Sequence, residues 1–167
     1  MKENIALIGF MATGKTVVAE KLAATLGKRC IDLDALITKK SGKTIPRIFE
    51  ENGEKGFRNL ETQAVKEASR QRGVVLACGG GVVLNSVNIE HLRRNSVVIC
   101  LAAQPEIILG RVTDDGTRPL LNVEDRSERV RELLSSRASL YQSSADYLID
   151  TTGLTVDEVV ERIVAVL

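Results

Sequence analysis

Short apolar runs alternate along the chain with longer amphipathic stretches. The runs at residues 5–8, 30–33, 74–78, 97–101 and 147–149 have strand length. Several of them lack the alternation of a half-exposed strand, which predicts a sheet covered on both faces. Between them lie helical patterns over residues 16–26, closed by Gly27, over 57–72, closed by Gly73, and over 155–166. Strand, helix and strand repeated in this way imply a parallel sheet with right-handed crossovers. Two segments interrupt the rhythm. Residues 34–56 add about two helices (ALITKK, then TIPRIFEEN) after the second strand, and residues 113–122, TDDGTRPLLN, are polar and turn-rich. Insertions at the carboxyl edge of a parallel sheet are where ligand-covering elements sit.

Composition narrows the class more than it names a function. A chain of 167 residues is expected to form one domain over residues 1–167, burying roughly 70% of its unfolded surface. Hydrophobic residues make up 44% and charged residues 27%, and there is no Trp, so Val, Ile, Leu and Ala must build the core. The formal net charge of +1 gives no reason to expect nucleic acid or an anionic membrane as partner. No run approaches the roughly 20 apolar residues of a membrane span. Lys2 and the apolar residues after it resemble a signal sequence only until Glu3 and the Gly14-Lys15-Thr16 that follows. Cys30, Cys78 and Cys100 are odd in number and form no C-x-x-C. Reduced, buried thiols and a cytosolic setting are therefore expected. His91 is the only histidine, which argues against a His-dependent hydrolase and a Cys/His metal site.

The most informative stretch is GFMATGKT at residues 9–16, set between a predicted strand and a predicted helix. It matches G-x-x-x-x-G-K-[ST]. Glycines let backbone N–H groups wrap phosphate oxygens, and the helix start adds its positive end. Lys15 can reach terminal phosphates and the Thr16 hydroxyl can hold Mg²⁺. A plain strand-to-helix turn would explain Gly9 and Gly14 but not Lys15-Thr16, so the loop is expected to bind a nucleoside triphosphate.

Other residues add detail. In CIDLD, strand periodicity would place Asp32 and Asp34 on one face, about 7 Å apart, near the phosphate loop. One carboxylate suits a magnesium shell and the other an acceptor hydroxyl, although Asp34 could simply cap a helix beginning at Ala35. Gly79-Gly80-Gly81 after the third strand leaves bare backbone open to a ligand. Arg129, with Asp125 and Glu132 at helical spacing, and Arg131, with Glu128, read as solvated pairs. Arg137 instead has Leu133, Leu134, Leu140 and Tyr141 at those spacings, so its guanidinium wants an anion that its own helix does not supply. Arg58 has Glu61 three residues on, either a surface pair or a strut aiming the arginine at a ligand. Arg118 is the only cation between Val112 and Glu124.

Taken in order, GFMATGKT, IDLD, GEKGFRNLE, CGGG, TRPLL and SRASLY resemble the shikimate kinase family over essentially the whole chain. The resemblance implies an α/β P-loop fold like that of nucleoside monophosphate kinases, with five parallel strands in the order 2-3-1-4-5. It implies a substrate-binding insertion at about 34–60 and a lid at about 112–123. It further implies transfer of the ATP γ-phosphoryl group to the 3-hydroxyl of shikimate, on the route to chorismate and the aromatic amino acids, by a cytoplasmic monomer. By motif, Ala12, Thr13, Gly14, Lys15, Thr16 and Val17 would cradle ATP, with Lys15 stabilising the transferring group. Thr16 and Asp32 would hold Mg²⁺, and Asp34 would take the substrate hydroxyls and serve as candidate base. Arg58 and Arg137 would clamp the carboxylate over the Gly79, Gly80 and Gly81 backbone. Arg118 would reach the ATP phosphates, and Arg111 and Thr152 would flank the adenine. Two features depart from the family pattern. Ala12-Thr13 stands where Gly-Ser is usual, so the loop must accept a Cβ at position 12, and the lid carries Asp114, Asp115 and a single arginine.

Three other readings compete. A gluconate-kinase-like enzyme of the same fold would have a different acceptor pocket, whereas Arg58, Arg137 and Asp34 favour an acceptor with both a carboxylate and a diol. A GTPase switch would need an N-K-x-D motif, which is missing from the sequence. A non-catalytic nucleotide-binding module would be expected to lack Asp34 or Arg118.

Overall fold

The computed structural model describes residues 2–112 and 118–167. Five strands, β1 (Asn4–Ile8), β2 (Arg29–Asp32), β3 (Val74–Ala77), β4 (Ser96–Ala102) and β5 (Tyr147–Asp150), form one sheet in the order β2-β3-β1-β4-β5. Every pairing is parallel. The central strand β1 is buried along its whole length. Its side chains divide by period two: Ala6 and Ile8 join the core on one face, Ile5 and Leu7 the core on the other. That division is what the near-continuous apolar runs predicted. Asn4 is the polar exception in β1, and it is satisfied: its Oδ1 accepts from the Val74 amide and its Nδ2 donates to the Gln71 carbonyl.

Among the described residues are seven α-helices, six between strands and the last after β5: α1 (Lys15–Leu26), α2 (Leu33–Ser41), α3 (Ile45–Ala68), α4 (Ser86–Asn95), α5 (Pro105–Arg111), α6 (Arg126–Ser144) and α7 (Val156–Val166). Helices α1 and α7 cover one face through Val18, Leu22, Val160 and Ile163. The other face is covered through Val65 of α3, Leu92 of α4 and Val130 of α6. Fully burying such a side chain contributes about 1.5–3 kcal/mol. Among the described residues, no helix is long and apolar enough to cross a membrane.

Local chemistry sets the ends that matter for the site. Helix α1 stops at Gly27, whose φ of 62° is the left-handed cap that glycine adopts without strain. Helix α3 differs from expectation. It starts at the Thr44 cap, bends at Gly53, and stops at Ala68 rather than continuing to Arg72. The bend is permitted by glycine in a backbone conformation (φ 68°, ψ −180°) that side chains disfavour. The strand reading of CIDLD also needs correction. β2 ends at Asp32, whose side chain caps α2 by accepting from the Ala35 amide at 3.0 Å, and Asp34 lies in the first turn of that helix. A carboxylate that accepts a first-turn amide favours a helix start over strand continuation.

Candidate active site

The loop leaving β1 can turn only because residue 9 is glycine: a Cβ there would stand 2.2 Å from the Leu101 carbonyl oxygen. The loop then runs through Ala12, at φ 59°, to Gly14, which caps α1 at φ 92°. Among the described residues, Ala12 is the one non-glycine with positive φ. The loop thus accommodates a Cβ at position 12 by taking alanine into the left-handed region. Thr13 is buried, and its hydroxyl donates to the Phe10 carbonyl at 2.8 Å, which closes the turn. It braces the loop from behind and does not line the phosphate cavity.

Lys15 opens α1 and is buried, with its Nζ donating to the Phe10 carbonyl at 2.7 Å. Burial pulls its pKa down to about 8, with Arg118 adding to the effect and Asp34 opposing it. Thr16 donates its hydroxyl to Asp32 Oδ2 at 2.7 Å, so one hydroxyl and one carboxylate meet at the loop. Among the described residues, no group of three or more His, Cys, Asp or Glu side chains gathers to hold an ion. A cation here would draw its remaining oxygens from phosphate and water. That donor set fits Mg²⁺, which keeps several waters and binds through one or two carboxylates plus phosphates.

Two adjoining cavities open at this edge of the sheet. The first, about 260 Å³, is lined by Ala12, Gly14, Lys15, Thr16, Val17 and Asp32, among others. The second, about 130 Å³, is lined by Phe49, Phe57, Arg58, Glu61, Gly81 and Arg137, among others. They share Met11, Asp34, Gly79, Gly80 and Arg118. Phosphate loop and arginine pair therefore meet at Asp34. Its carboxyl opens to solvent on the cleft side and is crowded on its other sides. Burial, then the neighbouring Asp32, raises its pKa above the ordinary carboxylate range, against Lys15, Arg58 and Arg118.

On the far side of the cleft, Arg137 is 3% exposed, as its apolar stripe on α6 foretold. Arg58 bonds Glu61 at 3.0 Å and Glu54 at 3.3 Å. Glu61 is itself buried, so the pairing is the strut and not a surface bridge. Burial raises the Glu61 pKa, and Arg58 counters it. Among the described residues, Arg58 Nε and Glu61 Oε2 are buried without a hydrogen-bond partner. Two of the three glycines are crowded by these neighbours, while Gly80 lies against the Met11 backbone. A Cβ at Gly79 would lie 2.8 Å from Glu61 Oε2, and one at Gly81 would lie 2.3 Å from the Arg58 guanidinium.

Tyr141 was not expected to matter beyond its apolar character. Its hydroxyl donates to the Gly80 carbonyl at 2.5 Å, and the Arg137 charge acts on it. One side chain therefore ties the glycine strip to α6. Its only sequence-level trace is the spacing of four between Arg137 and Tyr141.

Other expected residues stand outside the two cavities. Arg111 ends α5 and donates to the Ala12 carbonyl at 3.3 Å. Thr152 follows β5 and accepts from the Gln104 amide at 3.2 Å. Arg118 lies in the cleft, whereas Asp114 and Asp115 of the expected lid fall outside the described residues. The helix pairs of α6 are only partly as expected. Arg129 bonds Glu132 and also the Leu120 carbonyl, while Asp125 caps the helix at the Glu128 amide. Arg131 reaches Glu106 on α5 and Ser127 in place of Glu128, because the neighbouring helix presents the nearer carboxylate. Cys78 and Cys100 are buried thiols, whereas Cys30 is half-buried.

The family model for shikimate kinase matches residues 11–167. The chain belongs to the shikimate kinase family. A shikimate kinase of Caldanaerobacter subterraneus subsp. tengcongensis is 49% identical over 97% of this chain and 94% of its own length. One from Thermodesulfovibrio yellowstonii is 44% identical over 97% and 93%. Among solved structures, shikimate kinase from Acinetobacter baumannii in complex with shikimate superposes with a TM-score of 0.96. It has 39% identity, over 98% of this chain and 92% of that one. The shikimate kinase of Aquifex aeolicus gives a TM-score of 0.84 at 32% identity, over 97% and 94%. Family membership makes this chain an ATP-dependent kinase with a hydroxyl acceptor.

Proposed function

We propose that the whole chain works as one kinase domain that transfers the γ-phosphoryl group of ATP to the 3-hydroxyl of shikimate, giving shikimate 3-phosphate and ADP in the supply of chorismate and aromatic amino acids. The observation that carries this reading is the meeting of two unlike half-sites at Asp34: a phosphate loop with Lys15 on one side, and half-buried Arg58 with buried Arg137 on the other. A cationic pair behind a carboxylate suits an acceptor that is itself an acid bearing hydroxyls.

The chemistry follows from these positions. Loop amides and the start of α1 receive the phosphates. Lys15, held against the Phe10 carbonyl, carries its charge to the transferring group. Phosphoryl transfer depends mainly on positioning and charge stabilisation, so a fixed buried cation supplies what the transition state needs. Asp34, with a raised pKa, takes the acceptor's hydroxyl proton more readily than an ordinary carboxylate would. Arg58 and Arg137 bind the acceptor's carboxylate and so point its hydroxyl at Asp34. Thr16 and Asp32 are the residues that would hold Mg²⁺, whose contribution when bound is to neutralise charge between the phosphates. Arg118, which lines both cavities, acts on the phosphate being transferred between them. A monomer in the cytoplasm is part of this reading, and light scattering of the purified protein checks the first half of it.

The test is a coupled ADP-release assay with shikimate, with gluconate, and with no acceptor. Binding of the acceptor completes the site, so ATP turnover should require shikimate. Equal ADP release in all three would refute the assignment.

A further inference from the structure

A phosphate-binding loop must turn its amides inward, which forces its carbonyls outward to find donors elsewhere. At position 12 that demand coincides with strain. Ala12 sits at φ 59°, where a Cβ crowds the backbone, and no other non-glycine among the described residues does the same. The Ala12 carbonyl is met from 99 residues away by the guanidinium of Arg111, at 3.3 Å. Among the described residues, that carbonyl is the hydrogen-bond partner shown for Arg111. The loop's own bonds hold its other parts: Thr13 and Lys15 both close on Phe10, and the Val18 amide closes on Gly14.

We propose that Arg111 is a positioning residue for the phosphate loop, holding the Ala12 carbonyl outward and so keeping an alanine in a left-handed turn that it would otherwise leave. The proposal rests on the kinase reading only for the identity of the ligand. Arg111 acts on the loop whether or not it also touches the base. The dependence is specific to a residue with a Cβ at position 12. Glycine there would hold the turn without help, because positive φ costs it almost nothing. Arg111 and residue 12 are therefore energetically coupled, and a double-mutant cycle measures the coupling.

The probe is inorganic tripolyphosphate, which carries the phosphates and no base, titrated calorimetrically into the parent protein, Arg111→Met, Ala12→Gly and the double variant. Thermal unfolding confirms that each is folded; Arg111 is exposed, so its replacement removes no core contact. Losing one hydrogen bond that organises the loop should weaken tripolyphosphate binding by about 3- to 10-fold when alanine occupies position 12. In the Ala12→Gly background the same replacement should change it by less than about 2-fold. Equal losses in both backgrounds would mean that Arg111 contributes only long-range charge. Unchanged tripolyphosphate binding alongside weakened ATP binding would mean that it serves only the base. Either result overturns the proposal. ADP-release kinetics at saturating shikimate give a second readout: the rise in KM for ATP in Arg111→Met should be lessened by adding Ala12→Gly, which removes the part that comes through the loop. A rise in KM that glycine leaves wholly unchanged also overturns it.

Discussion

Raising the pH should weaken nucleotide binding through Lys15 alone. In the nucleotide-free cleft, burial holds its pKa at about 8, down from 10.5, a penalty of about 3 kcal/mol on the charged form. Triphosphate oxygens placed against Nζ repay that penalty and return the pKa toward its ordinary value, so binding and protonation are linked. Below pH 8 the ammonium is already present and affinity is flat. Above pH 8 a proton must be taken up with the nucleotide, so the dissociation constant of a non-hydrolysable ATP analogue should rise roughly 25-fold between pH 7.5 and 9.5. Calorimetry at pH 8 in buffers of different ionisation heat should register uptake of about half a proton per nucleotide. Lys15→Met should bind weakly throughout and show no such slope. The same linkage gives stability its sign. A lysine whose folded pKa is depressed leaves the unfolded chain holding more protons between pH 8 and 10.5, so the nucleotide-free protein gains stability from this group as pH rises through that window. A parent affinity unchanged from pH 7.5 to 9.5, or an equal slope in Lys15→Met, would refute the reasoning.

Three further outcomes are expected. Arg118→Ala should lower single-turnover phosphoryl transfer by a factor on the order of 10³, with nucleotide-free shikimate binding nearly unchanged; an unaltered transfer rate in rapid-quench measurements would remove Arg118 from the chemistry. Asp34→Asn should reduce kcat/KM for shikimate by about 10²–10⁴ while leaving ATP affinity within about 2-fold, measured by ADP release and calorimetry. Tyr141→Phe deletes the bond to the Gly80 carbonyl and should raise KM for shikimate by about 3- to 10-fold; an equal rise in KM for ATP would show that the hydroxyl only stiffens the fold.

What the sequence made legible was whatever depends on near neighbours. The phosphate loop is eight consecutive residues with a strand before and a helix after, so its chemistry and its setting are read together. The parallel sheet follows from apolar runs too continuous for a half-exposed strand. Arg137 was legible as a buried cation because its own helix surrounds it with leucines. The ambiguities lie where the decision is made at a distance. Asp32 and Asp34 fit a strand by periodicity, and only the capping bond from Asp32 to the Ala35 amide shows that α2 has already begun. Glu61 is three residues from Arg58, a spacing shared by any surface pair, and only its place beside Gly79 reveals it as buried. Tyr141 reaches Gly80 across 61 residues and Arg131 finds Glu106 across 25, contacts that no local pattern encodes. The left-handed Ala12 is legible only as a requirement on the loop, since its φ is set by the fold around it.

The carboxylate clamp is the part of the site that turns a phosphate loop into a kinase for one acceptor, and Arg137 tests it most directly. The measurement is calorimetric titration of shikimate into Arg137→Ala and, for comparison, Arg72→Ala, each first shown to be folded. Arg137 is 3% exposed and faces the cavity beside Arg58. Arg72 has a side chain 79% exposed, with only a 3.6 Å contact to Glu3. Removing one side of a buried charge pair costs about 2–5 kcal/mol, so Arg137→Ala should weaken shikimate binding by roughly 30-fold to several thousand-fold. Arg72→Ala should change it by less than about 2-fold. If the two variants bound shikimate alike, Arg137 would not hold the carboxylate, and the proposed acceptor side of the cleft would be wrong.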